Sequence, residues 1–98
     1  MITRIVKMTF MPDACSRFEA LFERVKDRIA AFDGCHHLQL WHDVQHPEIY
    51  FTWSVWESET HLDRYRFSEL FKDTWAGTRI LFAQKAEAWS LETKQTVK

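Results

Sequence analysis

The stretch Ile49-Tyr50-Phe51-Thr52-Trp53-Ser54-Val55-Trp56 decides how this chain folds. It is built from β-branched and aromatic residues, which fit a pleated surface. Successive side chains of a strand point to opposite faces, so Ile49, Phe51, Trp53 and Val55 lie on one face and Tyr50, Thr52, Ser54 and Trp56 on the other. Both faces carry large apolar groups, and a segment of this kind needs cover on each side. Just upstream, residues 35–43 also read as a strand, and the polar turn Val44-Gln45-His46-Pro47 joins the two. So short a link makes them an antiparallel hairpin. In the first of the pair, parity sets Leu38 and Leu40 against Cys35 and Trp41.

Working outward, residues 2–10 alternate as a strand, and Pro12 and Asp13 open a helix, proline being tolerated and aspartate favoured in a first turn. Ala14, Phe18, Leu21, Phe22, Val25, Ile29 and Phe32 recur at three- and four-residue steps, and Gly34 is the expected end of that helix. Charges between them, including Arg24, Lys26, Asp27 and Arg28, face water. After the hairpin, Ser58 caps a helix over 59–66 and Ser68 caps another over 69–76, which Gly77 is expected to break. A further helical turn is expected over Thr78–Ala83, a last strand over 85–92, and a polar tail over 93–98.

The order β-α-β-β-α-β is that of a ferredoxin-like α+β fold: one four-stranded antiparallel sheet with helices on one face, in a single domain over residues 1–98. The helices cover one face only. The other, greasy as well, calls for a second copy, and a homodimer through the sheet face is the expectation.

Lys and Arg number 13 and Asp and Glu 14, interspersed along the helices, which excludes the basic stripe of a nucleic-acid binder. No apolar run is long enough to span a membrane, and neither nucleic acid nor membrane is an expected partner. The two cysteines, Cys15 and Cys35, form no CxxC pair, and a reducing, cytoplasmic setting is the expectation. Neither has the basic surroundings of a nucleophile. The five histidines lack ligand spacing: His36 and His37 point to opposite faces, and no metal site is expected. No phosphate-binding glycine loop or dinucleotide fingerprint is present. The five Trp, eight Phe and two Tyr suit a core, an interface or a pocket for a flat ligand.

The run Thr52-Trp53-Ser54-Val55-Trp56-Glu57-Ser58-Glu59, followed by Leu62, Tyr65, Ser68, Phe71 and Trp75, resembles the signature region of the antibiotic biosynthesis monooxygenase family. The Pro-Asp helix start and the join Phe32-Asp33-Gly34-Cys35 are similar to it too. The resemblance implies a dimeric α+β barrel with a pocket between sheet and helices in each subunit. It also implies oxidation of a small, hydrophobic quinol or phenolic polycyclic substrate by O2 with no cofactor. Trp56, Tyr65, Phe71 and Trp75 are then the expected substrate-binding residues. His37 and His61 are the expected catalytic proton acceptors, although His61, three residues after Ser58, also reads as a helix-capping residue. A haem-degrading branch of the same fold carries Asn, Trp and His where this chain has Val6, Tyr65 and Trp75, and Trp75 cannot ligate iron. The alternative reading is a non-catalytic dimeric ligand-binding or stress-response module on this scaffold.

Overall fold

A computed structural model describes residues 1–98. Strand β1 (Ile2–Phe10) leads through a 3₁₀ turn (Pro12–Ala14) into α1 (Cys15–Ala30). The hairpin β2 (Cys35–His42) and β3 (Ile49–Trp56) follows, then α2 (Glu59–Arg66), α3 (Glu69–Arg79) and β4 (Phe82–Leu91). The strands lie in the order β2-β3-β1-β4, antiparallel throughout, which is the split βαβ arrangement.

Register sorts the side chains into two sets. Arg4 pairs with Ser54 and Ser90, Val6 with Thr52 and Ala88, and Met8 with Tyr50; these face the helices. Ile5 pairs with Trp53 and Trp89, Lys7 with Phe51 and Glu87, and Trp41 with Phe51; these form the open face. There Trp41 stacks on Trp53 at 5.9 Å, yet Trp41, Trp89 and Leu91 remain 42, 43 and 49% exposed.

The core sits at one end of the sheet, where Met8, Phe10, Ala14, Phe18, Tyr50 and Leu81 pack together. Phe10 is its centre, stacked on Phe18 at 4.3 Å and edge-on to Tyr50 at 5.6 Å. Backbone bonds from Phe10 N to the Glu48 carbonyl and from Met11 N to the Leu81 carbonyl close that end.

Three expectations need correction. The first concerns Gly77, which does not break α3: the helix runs on to Arg79, and β4 begins at Phe82, so no extra helical turn fills 78–83. A Cβ at Gly77 would lie 2.9 Å from Leu21 Cδ1, so the glycine serves the close packing of α3 on α1. The second concerns Gly34. Helix α1 already ends at Ala30, and Gly34, at φ +86°, turns the chain into β2 instead. The third concerns Cys35. A register slip between Cys35 and His37 pairs Cys35 with Trp56 and His37 with Val55, which places Cys35 on the helix-facing side with Leu38 and Leu40.

Candidate active site

Beyond the core, and sharing Met8 and Phe18 with it, the helices stand off from the sheet and leave a cavity of about 360 Å³. Its floor is the helix-facing row of β1 and β3 and its roof is α1, α2 and α3. Ser58 starts α2 by accepting from His61 N at 3.3 Å, and Ser68 starts α3 by accepting from Phe71 N at 3.1 Å. These two caps fix the breaks that turn Leu62 and Tyr65, then Phe71 and Trp75, down onto the sheet.

Trp56, Tyr65, Phe71 and Trp75 all line this one cavity. They also form a continuous aromatic wall: Trp56 stacks on Tyr65 at 4.9 Å, Tyr65 meets Phe71 edge-on at 5.3 Å, and Phe71 stacks on Trp75 at 5.8 Å. Phe32 buttresses the wall against both Trp56 and Tyr65. Trp56 is 1% exposed, and its indole N–H donates to Ser54 Oγ at 3.0 Å, which fixes the ring. Each ring is thus both wall and packing partner.

The two histidines expected to accept a proton do not join them. His37 lies on the open face beside Trp53, at 5.7 Å between ring centroids, with the sheet between it and the cavity. His61 sits at the start of α2, where Nδ1 pairs with Ser58 Oγ at 2.7 Å and Nε2 lies 3.9 Å from Asp33. Neither ring lines the cavity. The lining holds no carboxylate and no imidazole. The remaining three histidines lie elsewhere: His36 pairs with Glu57, His42 stacks on Tyr50 at 4.4 Å, and His46 sits in the exposed turn between β2 and β3. No group of three His, Cys, Asp or Glu side chains is arranged to hold a metal ion. Burial pushes both thiols, Cys15 and Cys35, above their ordinary range, the reverse of what a nucleophile needs.

Besides Tyr65, three polar residues not singled out from the sequence reach the cavity. Arg4 projects from β1 and donates from Nη1 to Ser90 Oγ at 2.9 Å. Arg66, in the last turn of α2, has its Nη1 3.8 Å from Asp63. Thr74 Oγ1 on α3 is buried with no hydrogen-bond partner. Parity along β1 sets Arg4 in the apolar row with Val6 and Met8, and Arg66 follows the buried Leu62 by one helical step. Both signals were present in the sequence.

Burial raises the Tyr65 hydroxyl, with the nearby Cys35 adding to it. Burial likewise raises Tyr50, whose hydroxyl donates to Glu19 Oε2 at 2.6 Å. The sign follows from linkage: the folded state favours the neutral phenols, so their contribution is present below the unfolded value of about 10 and is lost as pH rises beyond it. Tyrosinate absorbance is expected to stay absent from the native protein up to that range. It should then emerge together with loss of tertiary structure, for both tyrosines at once.

A small α+β sheet domain with an aromatic-walled chamber under three helices defines the class. The chain belongs to the antibiotic biosynthesis monooxygenase family, whose sequence model matches residues 1–76. That match covers all four wall residues and stops before β4. A crystal structure of an antibiotic biosynthesis monooxygenase superposes with a TM-score of 0.90 at 16% identity, over 97% of this chain and 100% of that one. Rv0793 from Mycobacterium tuberculosis gives 0.89 at 21% identity, over 99% and 98% of the two chains. PA3566 from Pseudomonas aeruginosa gives 0.84 at 20%, over 96% and 94%. At these identities the likeness speaks for the fold. No curated protein matches the sequence. No helix is long and apolar enough to cross a membrane.

Proposed function

We propose that this protein is a cofactor-independent monooxygenase that oxidises a hydrophobic quinol or phenolic polycyclic substrate with O2. One observation carries the reading: four rings from β3, α2 and α3 converge on a single, mainly apolar cavity near the lower end of the roughly 300–1,000 Å³ usual for ligand sites. A flat ring system stacks against such a wall and is shielded there from bulk water. The electrons come from the substrate. In an anthrone-like case the carbon between the two aryl rings loses both hydrogens and gains one oxygen atom as a carbonyl, and the second oxygen leaves as water. The reaction starts from the substrate anion, which passes an electron to O2. With no imidazole or carboxylate in the lining, the substrate's own acidity governs that anion. Oxidation rates across a substrate series are expected to follow substrate pKa, and His37→Ala should leave them unchanged. Oxygen consumption with a panel of hydroquinones and anthrones tests the proposal, and no uptake across the panel defeats it.

The same lack of an imidazole or carboxylate in the lining, with Tyr65 as its one titratable neutral group, favours a second reading, a non-catalytic ligand-binding module. Tight binding of a panel member with no turnover under air decides for it.

We also propose that two copies pair through the open sheet face. Trp41, Trp89 and Leu91, with Trp53 and Ile5 bridging the strands between them, present an apolar surface of the kind that isolated domains seldom keep wet. Sedimentation should give twice the chain mass, falling to one chain in Trp41→Glu/Trp89→Glu. A wild-type monomer at micromolar concentration defeats the pairing.

A further inference from the structure

Two guanidinium groups line a cavity that is otherwise mainly apolar, and this is unusual enough to need a cause. Arg4 is half-buried on the sheet floor, where its one hydrogen bond goes to a neutral hydroxyl, Ser90 Oγ, and no carboxylate pairs with it. Arg66 reaches the same cavity from α2; after burial, its charge is what most lowers the proton affinity of Arg4, with Asp63 opposing it. Like charges brought together at a partly desolvated site are unfavourable unless an anion answers them. Asp63 answers in part, through its 3.8 Å approach to Arg66. Two guanidinium groups against one carboxylate give this part of the cavity a formal charge of +1, screened in part by water at the 44% exposed Arg66 side chain.

We propose that the ligand of this cavity is an aromatic monocarboxylate, its rings against Trp56, Tyr65, Phe71 and Trp75 and its carboxylate held between Arg4 and Arg66. A planar carboxylate matches the donor fork of guanidinium, and one negative charge balances the site, where a doubly charged phosphate would overshoot it. Thr74 Oγ1, buried without a partner in the same lining, offers a hydrogen bond to a hydroxyl or carbonyl on the ring system. The proposal rests on reading this cavity as the substrate site.

The test compares three probes of one size: a hydroxynaphthoic acid, naphthol and a naphthylmethylamine. Affinities are measured calorimetrically under nitrogen, so that turnover plays no part. The acid should bind on the order of tenfold or more tighter than the neutral alcohol, and the amine most weakly. Arg66→Gln, at an exposed side chain, should abolish that preference, with the acid losing on the order of tenfold more affinity than naphthol. Arg66→Lys should retain part of it. Arg4→Gln should act in the same direction. Equal affinity for acid and alcohol overturns the proposal, as does an acid preference that survives both glutamine substitutions. The outcomes separate from those for oxidation: arginine-dependent acid binding without oxygen uptake upholds the carboxylate site and defeats the oxygenase, and uptake with neutral quinols alone does the converse.

Discussion

Phe10→Ala is expected to cost about 3–5 kcal/mol of stability, the range for deleting a fully enclosed phenyl ring. Phe10 is 0% exposed and touches three other rings, those of Phe18, Tyr50 and Phe82. Its neighbours come from α1, β3 and the start of β4, so no single element can move in to fill the hole. For a domain of this size such a loss is a large share of the total and lowers the melting temperature by on the order of 15–30 °C. Chemical denaturation should show the midpoint falling with the slope unchanged. Trp89→Ala is the matched control, a larger ring removed from the open face, where the side chain is 43% exposed. Both variants should be compared at one protein concentration, because pairing of copies would add a concentration-dependent contribution to each. A Phe10→Ala protein that melts within a few degrees of wild type would remove this cluster from the centre of the stability argument.

Gly34→Ala is expected to cost about 2–5 kcal/mol, from two separable sources. The first is backbone: φ is +86°, in a region that a side chain with a Cβ adopts only under strain. The second is steric, since a Cβ at this position would lie 2.5 Å from the Cβ, Cγ and Cδ2 atoms of His61. His61 Cβ is fixed to α2, so rotation of the ring cannot relieve the contact and the helix itself must shift. The Gly34 carbonyl also accepts from Glu57 N at 2.8 Å, tying the end of β3 to the same corner. A double-mutant cycle with His61→Gly separates the two sources. It should return the steric part, about 1–3 kcal/mol, and leave the backbone part in place. Exact additivity would mean that the two residues do not meet. Because α2 carries Leu62, Tyr65 and Arg66 into the cavity, ligand affinity should fall in Gly34→Ala and recover in part in the double variant.

How far the site was legible depended on whether its determinants were local. The four wall rings were readable because each follows from periodicity on one element: Trp56 by strand parity, and Tyr65, Phe71 and Trp75 by helical steps after serine caps. Parity also spoke against His37, which counts with Trp41 on the outward face of β2 while Leu38 and Leu40 face the helices. Cys35 could not be placed in this way, since one residue of slip at the start of β2 reverses every parity before it. Gly77 misled for a different reason. Glycine weakens an isolated helix, but here the neighbouring α1 comes so near that a larger residue would have to displace Leu21, a contact that exists only in three dimensions. Arg4 and Arg66 lie 62 positions apart and meet only once β1 and α2 are folded over the same chamber.

The two-sided sheet divides the indoles into separate optical populations. Trp41, Trp53 and Trp89 lie outward, and Trp56 and Trp75 look into the chamber. Self-association should therefore change the emission of the first three, and chamber occupancy that of the other two. Replacing either group by phenylalanine would give a chain whose fluorescence follows one event and is blind to the other, so that assembly and ligand uptake can be timed independently in the same solution.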